Sequence, residues 1–118
     1  MPARSFRDLI VWQRSMELSL SIYSLTRSFP REELFGLTSQ LRRAAVSIPS
    51  NIAEGEGRGT PGEFKQFLGI AKGSNAELQT QLLLARGLHF GQPVDLDRSE
   101  SLSAEVTRML TALIATLA

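Results

Sequence analysis

The sequence contains no cysteine and only one histidine. Without cysteine there can be no disulfide, no thiolate nucleophile and no cysteine-based metal site, and a single histidine cannot form a histidine cluster. We therefore expect no metal and no cofactor. Paired acids are poor catalytic candidates, because Glu54 and Glu56 lie two residues apart and would point about 200° apart on a helix. These absences predict a protein that is not an enzyme.

Long apolar runs and a strong net charge are also missing. No stretch approaches the roughly 20 apolar residues that span a bilayer, and the N-terminus MPARSFRDL lacks the apolar segment of a signal peptide. We therefore expect a cytoplasmic protein with no membrane partner. With 13 basic and 12 acidic side chains, the formal net charge is only +1, unlike that of a dedicated nucleic-acid binder. A balanced total can still hide a basic face.

Helical periodicity is what the sequence does contain. Apolar residues recur every three or four positions in four segments, at about residues 7–29, 32–56, 61–89 and 97–117. The connectors between these segments are short, which favours antiparallel neighbours. The chain is therefore predicted to be all-α, with a single domain over residues 1–118 that forms an antiparallel up-down-up-down four-helix bundle.

The glycine-rich stretch SIPSNIAEGEGRG, residues 47–59, raises the question of a phosphate-binding loop. It has no preceding strand and no G-K-[ST] ending, and its glycine spacing is not G-x-G-x-x-G. The glycines instead predict the end of the second helix. The third helix then begins with Thr60 as its N-cap, Pro61 at the first helical position and Glu63 completing a capping box.

Two residues that are unusual inside a helix fall within the predicted helices, Pro49 and Asn75. Pro49 removes the amide that would bond the Ala45 carbonyl, so we expect a kink rather than an end of the helix, with Ser47 or Ser50 helping to satisfy that carbonyl. Asn75 falls on the apolar seam of the third helix. A buried asparagine at such a position usually fixes register rather than performing chemistry.

Segments of the predicted helices resemble a known protein family. LTSQLRRAAVSIPSNIAEGEGRG and EFKQFLGIAKGSNAELQTQLLLA are similar to bacterial four-helix-bundle proteins first noticed as reading frames inside intervening sequences of 23S ribosomal RNA genes, also called the S23 family. FRDLIVWQRSMELSLSIYSLTRSFP fits the first helix of that family, so the resemblance covers about residues 5–90. It implies a ring-forming homo-oligomer, typically a homopentamer, with no known enzymatic activity.

A relative of that family is the accessory protein of diversity-generating retroelements. It is a strongly basic pentamer that binds nucleic acid and works beside a reverse transcriptase. The near-neutral charge of this sequence departs from that relative, which weakens the transfer of a retroelement function to this chain.

Basic residues on the predicted helices form a candidate nucleic-acid surface. On the third helix, Lys65, Lys72 and Arg86 lie at multiples of seven and drift by only about 60° over three heptads, so they share one stripe. Such cations would contact an RNA or DNA backbone without sequence preference. The complete set of candidates is Arg7, Arg14, Arg42, Arg43, Arg58, Lys65, Lys72 and Arg86, with Arg4 close by in the sequence.

These cations also have an ordinary interpretation. They can solvate the bundle or pair with Glu54, Glu56 and Glu77, and for an isolated chain this interpretation is the stronger one, because exposed ion pairs on helix faces are common and contribute little. Oligomer assembly shifts the balance, because repeated weak contacts gain avidity. Arg42 and Arg43 are adjacent and point about 100° apart, so we expect only one of them to face a common ligand.

The predicted helices carry more apolar surface than one bundle needs. A bundle core uses about three positions in seven, whereas the first helix is apolar over two adjacent arcs. We expect identical copies to bury the surplus, through the candidate interface residues Trp12, Leu18, Phe67, Ile70, Leu84 and Leu88. The alternative function is a structural or protein-binding scaffold without a nucleic-acid role, which a salt titration of RNA and DNA binding would distinguish.

Overall fold

A computed structural model describes residues 5–117 of the chain. Its four α-helices are α1 (Ile10–Thr26), α2 (Leu37–Gly57), α3 (Pro61–Gly87) and α4 (Pro93–Ala115). Two short 3-10 helices, Phe6–Asp8 and Arg31–Glu33, precede α1 and α2. No strand occurs among residues 5–117, and the predicted all-α class with four helices is confirmed.

Each helix packs against two others. α1 contacts α2 and α4, and α3 contacts the same two helices, so α1 and α3 occupy opposite corners. The hydrogen bonds between helices show their relative direction. On α2 and α3, Gln40 bonds to Gln81 and Ser47 bonds to Ser74, so the residue number rises along one helix as it falls along the other. Hydrogen bonds between the other neighbouring helices follow the same order. Neighbouring helices are therefore antiparallel, in a body of 48 × 23 × 23 Å.

Some helix boundaries differ from the predicted ones. The first predicted helix is interrupted at Leu9, whose extended backbone (φ −75°, ψ 123°) separates the 3-10 turn from α1. α2 begins only at Leu37, after a turn that includes Gly36. α4 begins at Pro93 rather than at residue 97, because proline is favoured at the first helical position, where its missing amide costs nothing.

One core of buried aliphatic side chains runs through all four helices. Leu18 belongs to it and is 0% exposed, so its prediction as a subunit-interface residue is wrong. The reason is the face of α1 on which it lies, because Val11, Ile22 and Leu25 recur with it at helical spacing and all are buried in the bundle.

A polar network joins α3 to α4 inside this core. Asn75 is completely buried, and its Nδ2 donates to the Ser103 carbonyl at 2.9 Å and to Thr107 Oγ1 at 2.8 Å. Its Oδ1 accepts from Ser103 Oγ at 2.7 Å. A slip of α3 along α4 would leave these buried groups unpaired, which is costly. The contacts agree with the register role predicted for Asn75.

Pro49 lies inside α2 and leaves the Ala45 carbonyl without its helical donor. The helix continues through the proline, as expected. Ser19 Oγ of α1 lies 3.0 Å from the Ala45 carbonyl oxygen and also 3.0 Å from the Ser15 carbonyl oxygen of its own helix, so its one proton has two acceptors within reach. The Ser15 carbonyl already has a helical donor, whereas the Ala45 carbonyl has none. The missing bond is therefore supplied by a neighbouring helix, and the prediction that Ser47 or Ser50 supplies it is wrong.

Ser19→Ala is expected to lower the free energy of unfolding by about 1 to 3 kcal/mol, because it leaves a buried carbonyl without a donor. Ser15→Ala is the matched control. Ser15 is also buried, but its hydroxyl donates at 2.7 Å to the Val11 carbonyl, which already has a helical donor. Urea denaturation measures both variants, and equal losses would contradict the role assigned to Ser19.

Candidate nucleic-acid interface

Three of the eight candidate cations form ion pairs with carboxylates of their own chain. The pairs are Arg14 with Glu17 (3.1 Å) and Glu105 (2.9 Å), Arg58 with Glu54 (2.8 Å), and Arg86 with Asp97 (2.8 Å) and Glu100 (2.9 Å). The pKa of each guanidinium is raised above its ordinary value. The largest cause is the hydrogen bond that the guanidinium donates to a carboxylate, which belongs to Glu105 for Arg14, Glu54 for Arg58 and Glu100 for Arg86. Pairing within the bundle, the ordinary interpretation, therefore describes these three arginines. Of the predicted partners Glu54, Glu56 and Glu77, only Glu54 takes part within residues 5–117.

The predicted stripe on α3 does not form one compact site. Lys65 and Lys72 are exposed and have no ion pair among residues 5–117. Lys65 and Arg86 are separated by about 32 Å along the helix axis, and Arg86 turns towards the acids of α4. Arg7 lies before α1 with its guanidinium 5.1 Å from the Phe6 ring centroid. Arg4 lies outside the described residues.

Arg42 is held in a defined orientation where α2 packs against α1. Its Nε donates to Thr26 Oγ1 at 2.9 Å. The guanidinium carbon also lies 4.6 Å from the centroid of the Tyr23 ring, in a cation–π contact. Two side chains of α1 thus fix this half-buried arginine of α2 in place.

Two adjoining grooves meet at Arg42. The smaller, of about 290 Å³, is lined by Thr26, Arg27, Phe29, Pro30, Arg31, Leu34, Thr38 and Arg42. The larger, of about 500 Å³, is lined by Tyr23, Leu34, Phe35, Thr38, Ser39, Arg42, Arg43 and Val46. We call the four arginines that line these grooves, Arg27, Arg31, Arg42 and Arg43, the arginine corner. Arg42 and Arg43 both line the larger groove, an arrangement that the prediction that only one of them faces a common ligand did not anticipate.

The arginine corner carries positive charge that nearby acids do not neutralise. Neither groove is lined by a carboxylate, and within residues 5–117 none of the four arginines forms an ion pair. Glu32 and Glu33 follow Arg31 in the same 3-10 turn, and Glu33 Oε1 accepts from the Leu37 amide at 3.1 Å. Four arginines against these two acids leave this corner with a formal charge of +2, although the net charge of the chain is only +1.

Helical periodicity could not have found Arg27 and Arg31. Arg27 follows the last residue of α1, and Arg31 opens the 3-10 turn before α2, so neither belongs to a helical stripe. The turn between α1 and α2 brings both of them to the groove that Arg42 also lines. The available signal was a pair of cations flanking a predicted helix-to-helix turn.

The remaining candidates for the subunit interface differ in how exposed they are. Ile70 and Leu84 on α3, and Leu88 at its C-cap, are 46%, 54% and 54% exposed, and we call these three the α3 apolar face. Phe67 is half-buried, with the Arg58 guanidinium 5.0 Å from its ring centroid. Trp12 is half-buried as well, and its ring centroid lies 5.2 Å from that of Phe6.

The described part of the chain offers neither a metal-binding cluster nor a membrane-spanning helix. Among residues 5–117, no group of three or more histidine, aspartate or glutamate side chains is arranged to hold a metal ion. None of the helices there combines the length and the apolar character that crossing a bilayer requires.

Comparison with known proteins establishes the family. A protein of unknown function from the S23 ribosomal protein family of Bacteroides thetaiotaomicron has a similar crystal structure, with a TM-score of 0.81 and 24% identity over 90% of this chain and 96% of that chain. At this identity the similarity supports the fold alone. None of the curated protein sequences matches significantly. The model of one sequence family, 23S rRNA-intervening sequence protein, matches residues 7–112. The chain therefore belongs to the 23S rRNA-intervening sequence protein family.

Proposed function

We propose that this protein is a non-enzymatic homo-oligomer that binds the phosphate backbone of RNA or DNA through the arginine corner. The observation that carries the proposal is the pair of adjoining grooves, which four arginines line and no carboxylate does. Arginine keeps its charge at any physiological pH, and its planar fork of N–H donors matches the oxygens of a phosphate.

The fixed orientation of Arg42 supports phosphate binding. Only the Nε of Arg42 donates to Thr26. Within the described residues the two terminal nitrogens of Arg42 donate to no other group. Stacking on Tyr23 restrains the guanidinium before a ligand arrives. A ligand then loses less free energy to ordering this side chain than it would with a free arginine.

Assembly would multiply the weak contacts of each arginine corner. The α3 apolar face offers exposed surface for contact between copies, and α3 does not contact α1. Association through α3 would therefore leave the α1–α2 grooves accessible to solvent. The family resemblance implies a ring, typically a homopentamer, and several arginine corners on one ring would bind a long polyanion with avidity.

A salt titration tests the proposed function. Each phosphate contact contributes about 0.7 to 0.9 to the slope of log Kobs against log salt concentration. Arg27→Ala combined with Arg43→Ala is therefore expected to reduce that slope by about 1.4 to 1.8. Lys65→Ala combined with Lys72→Ala removes the same charge from α3 and is the matched control, with a slope close to that of the wild type.

Two outcomes would contradict the proposal. If the wild-type protein binds neither RNA nor DNA at low salt, nucleic-acid binding is wrong. If the lysine pair reduces the slope as much as the arginine pair does, the arginine corner is the wrong site, and general charge or the α3 stripe accounts for binding.

The second candidate function is a structural or protein-binding scaffold with no nucleic-acid role. A third groove of about 320 Å³ between α1 and α2 favours it, because Trp12, Met16, Val46 and Pro49 give that groove an apolar lining. A protein ligand held by apolar burial would bind with little dependence on salt. The absence of RNA and DNA binding in the titration would leave this as the better function.

A further inference from the structure

The larger groove contains an exposed aromatic residue, Phe35, which binding of a nucleic-acid phosphate backbone does not explain. It lies in the turn before α2, and its side chain is 94% exposed. Tyr23, Leu34 and Val46 line the same groove and are partly exposed as well. So much apolar surface in one place is unfavourable in water and typically marks a binding surface.

We infer that the larger groove binds unpaired nucleotides, with the Phe35 ring stacked on a base while Arg42 and Arg43 hold adjacent phosphates. This inference rests on the proposed function and narrows its ligand class to single-stranded RNA or DNA. The bases of a duplex are stacked on one another and cannot cover the face of an added ring. Aromatic platforms beside a positive groove are the usual means of binding single strands without sequence preference.

The charge of the groove favours a polyanion over a second copy of this chain. The apolar lining is bordered by Arg42 and Arg43 and contains no carboxylate. If this groove docked on the same groove of a second copy, each arginine would come close to its own symmetry mate, which is unfavourable. In a ring the groove would instead meet a different surface of the next copy, and the sedimenting mass of Phe35→Ala tests that case. A single strand instead supplies flat apolar rings and negative phosphates along the same chain.

The adjoining smaller groove gives the strand a path beyond the stacked base. Arg42 lines both grooves, and Arg27 and Arg31 line the smaller one. A phosphate held at Arg42 would be followed by others within reach of Arg31 and Arg27. The ring of Phe35 and the four arginines therefore describe one continuous surface for a short segment of single strand.

Fluorescence anisotropy at one low salt concentration tests the single-strand inference. It compares the binding of a labelled oligouridylate with that of an RNA duplex of equal length. The oligouridylate is expected to bind more tightly than the duplex. Phe35→Ala is expected to weaken binding of the single strand about five-fold or more and to leave duplex binding unchanged. Val94→Ala removes exposed apolar surface outside both grooves, because Val94 is 72% exposed and lines neither of them. It is the control, with less than about a two-fold effect on the single strand.

The outcomes separate this inference from the proposed function. No binding of either RNA by the wild type would overturn both. Equal affinity for the single strand and the duplex, or an unchanged single-strand affinity in Phe35→Ala, would overturn this inference and leave backbone binding intact. A smaller sedimenting mass for Phe35→Ala would also overturn it, because the ring would then pack against another copy of the chain.

Discussion

Gly91→Ala is expected to lower the free energy of unfolding by about 2 to 5 kcal/mol, as the sum of backbone strain and a steric clash. Gly91 has φ +81°, a left-handed conformation that disfavours a side chain. A Cβ there would also lie 2.5 Å from Leu25 Cδ1 and 3.0 Å from Phe29 Cε1. Leu25 is completely buried, so it cannot move aside without disturbing the core.

Gly59→Ala is the control that isolates the clash. Gly59 has φ +84°, but no atom lies within 4 Å of where its Cβ would be. It should lose only the strain contribution of about 1 to 2 kcal/mol. Urea denaturation of both variants gives the difference, and equal losses would show that the connection between α3 and α4 does not press against α1. That contact supports Phe29, which lines the smaller groove of the arginine corner.

Gly55→Ala is expected to lower the free energy of unfolding by about 2 to 3 kcal/mol, in the upper part of the range for overpacking. A Cβ on Gly55 would lie 2.6 Å from Phe67 Cβ and 3.2 Å from Phe64 Cδ1. Because Phe67 Cβ is bonded directly to the backbone of α3, rotating the side chain cannot relieve the contact. The two helices would have to move apart.

Gly57→Ala is the matched control on the same helix. No atom lies within 4 Å of its Cβ position, and its φ is not positive. Alanine should leave the stability unchanged or raise it by up to about 1 kcal/mol, because it reduces the freedom of the unfolded chain. Thermal unfolding followed by circular dichroism compares the two variants, and a Gly55→Ala protein as stable as Gly57→Ala would contradict the close packing of α2 on α3.

The contrast between these glycines explains the stretch SIPSNIAEGEGRG. Its glycines suggested either a phosphate-binding loop or a helix-to-helix corner. Gly55 lets α2 and α3 approach closely, and Gly59 takes the left-handed conformation in the connection between them. Thr60 then caps α3, with its hydroxyl accepting from the Glu63 amide at 3.2 Å. The stretch serves the packing of the bundle, and the candidate anion site lies at the α1–α2 turn instead.

The sequence by itself determined the number of helices, the class of the fold and most of the buried face of each helix. These properties depend on local spacing, because apolar residues three and four positions apart must share a helix face. The family was also recognisable from its segments alone. The placement of Asn75 in the core followed from the same periodicity.

Only the tertiary structure decided which side chains are available for binding. Leu18 and Ile70 fit equally well in apolar helical patterns, yet Leu18 faces the core and Ile70 faces solvent. Arg86 shares a stripe with Lys72 but pairs with acids of α4, while Arg27 and Arg31 reach Arg42 across a turn. Periodicity describes positions around one helix axis. The surroundings of a charge depend on which helices meet and in what register, and only the packed bundle specifies these.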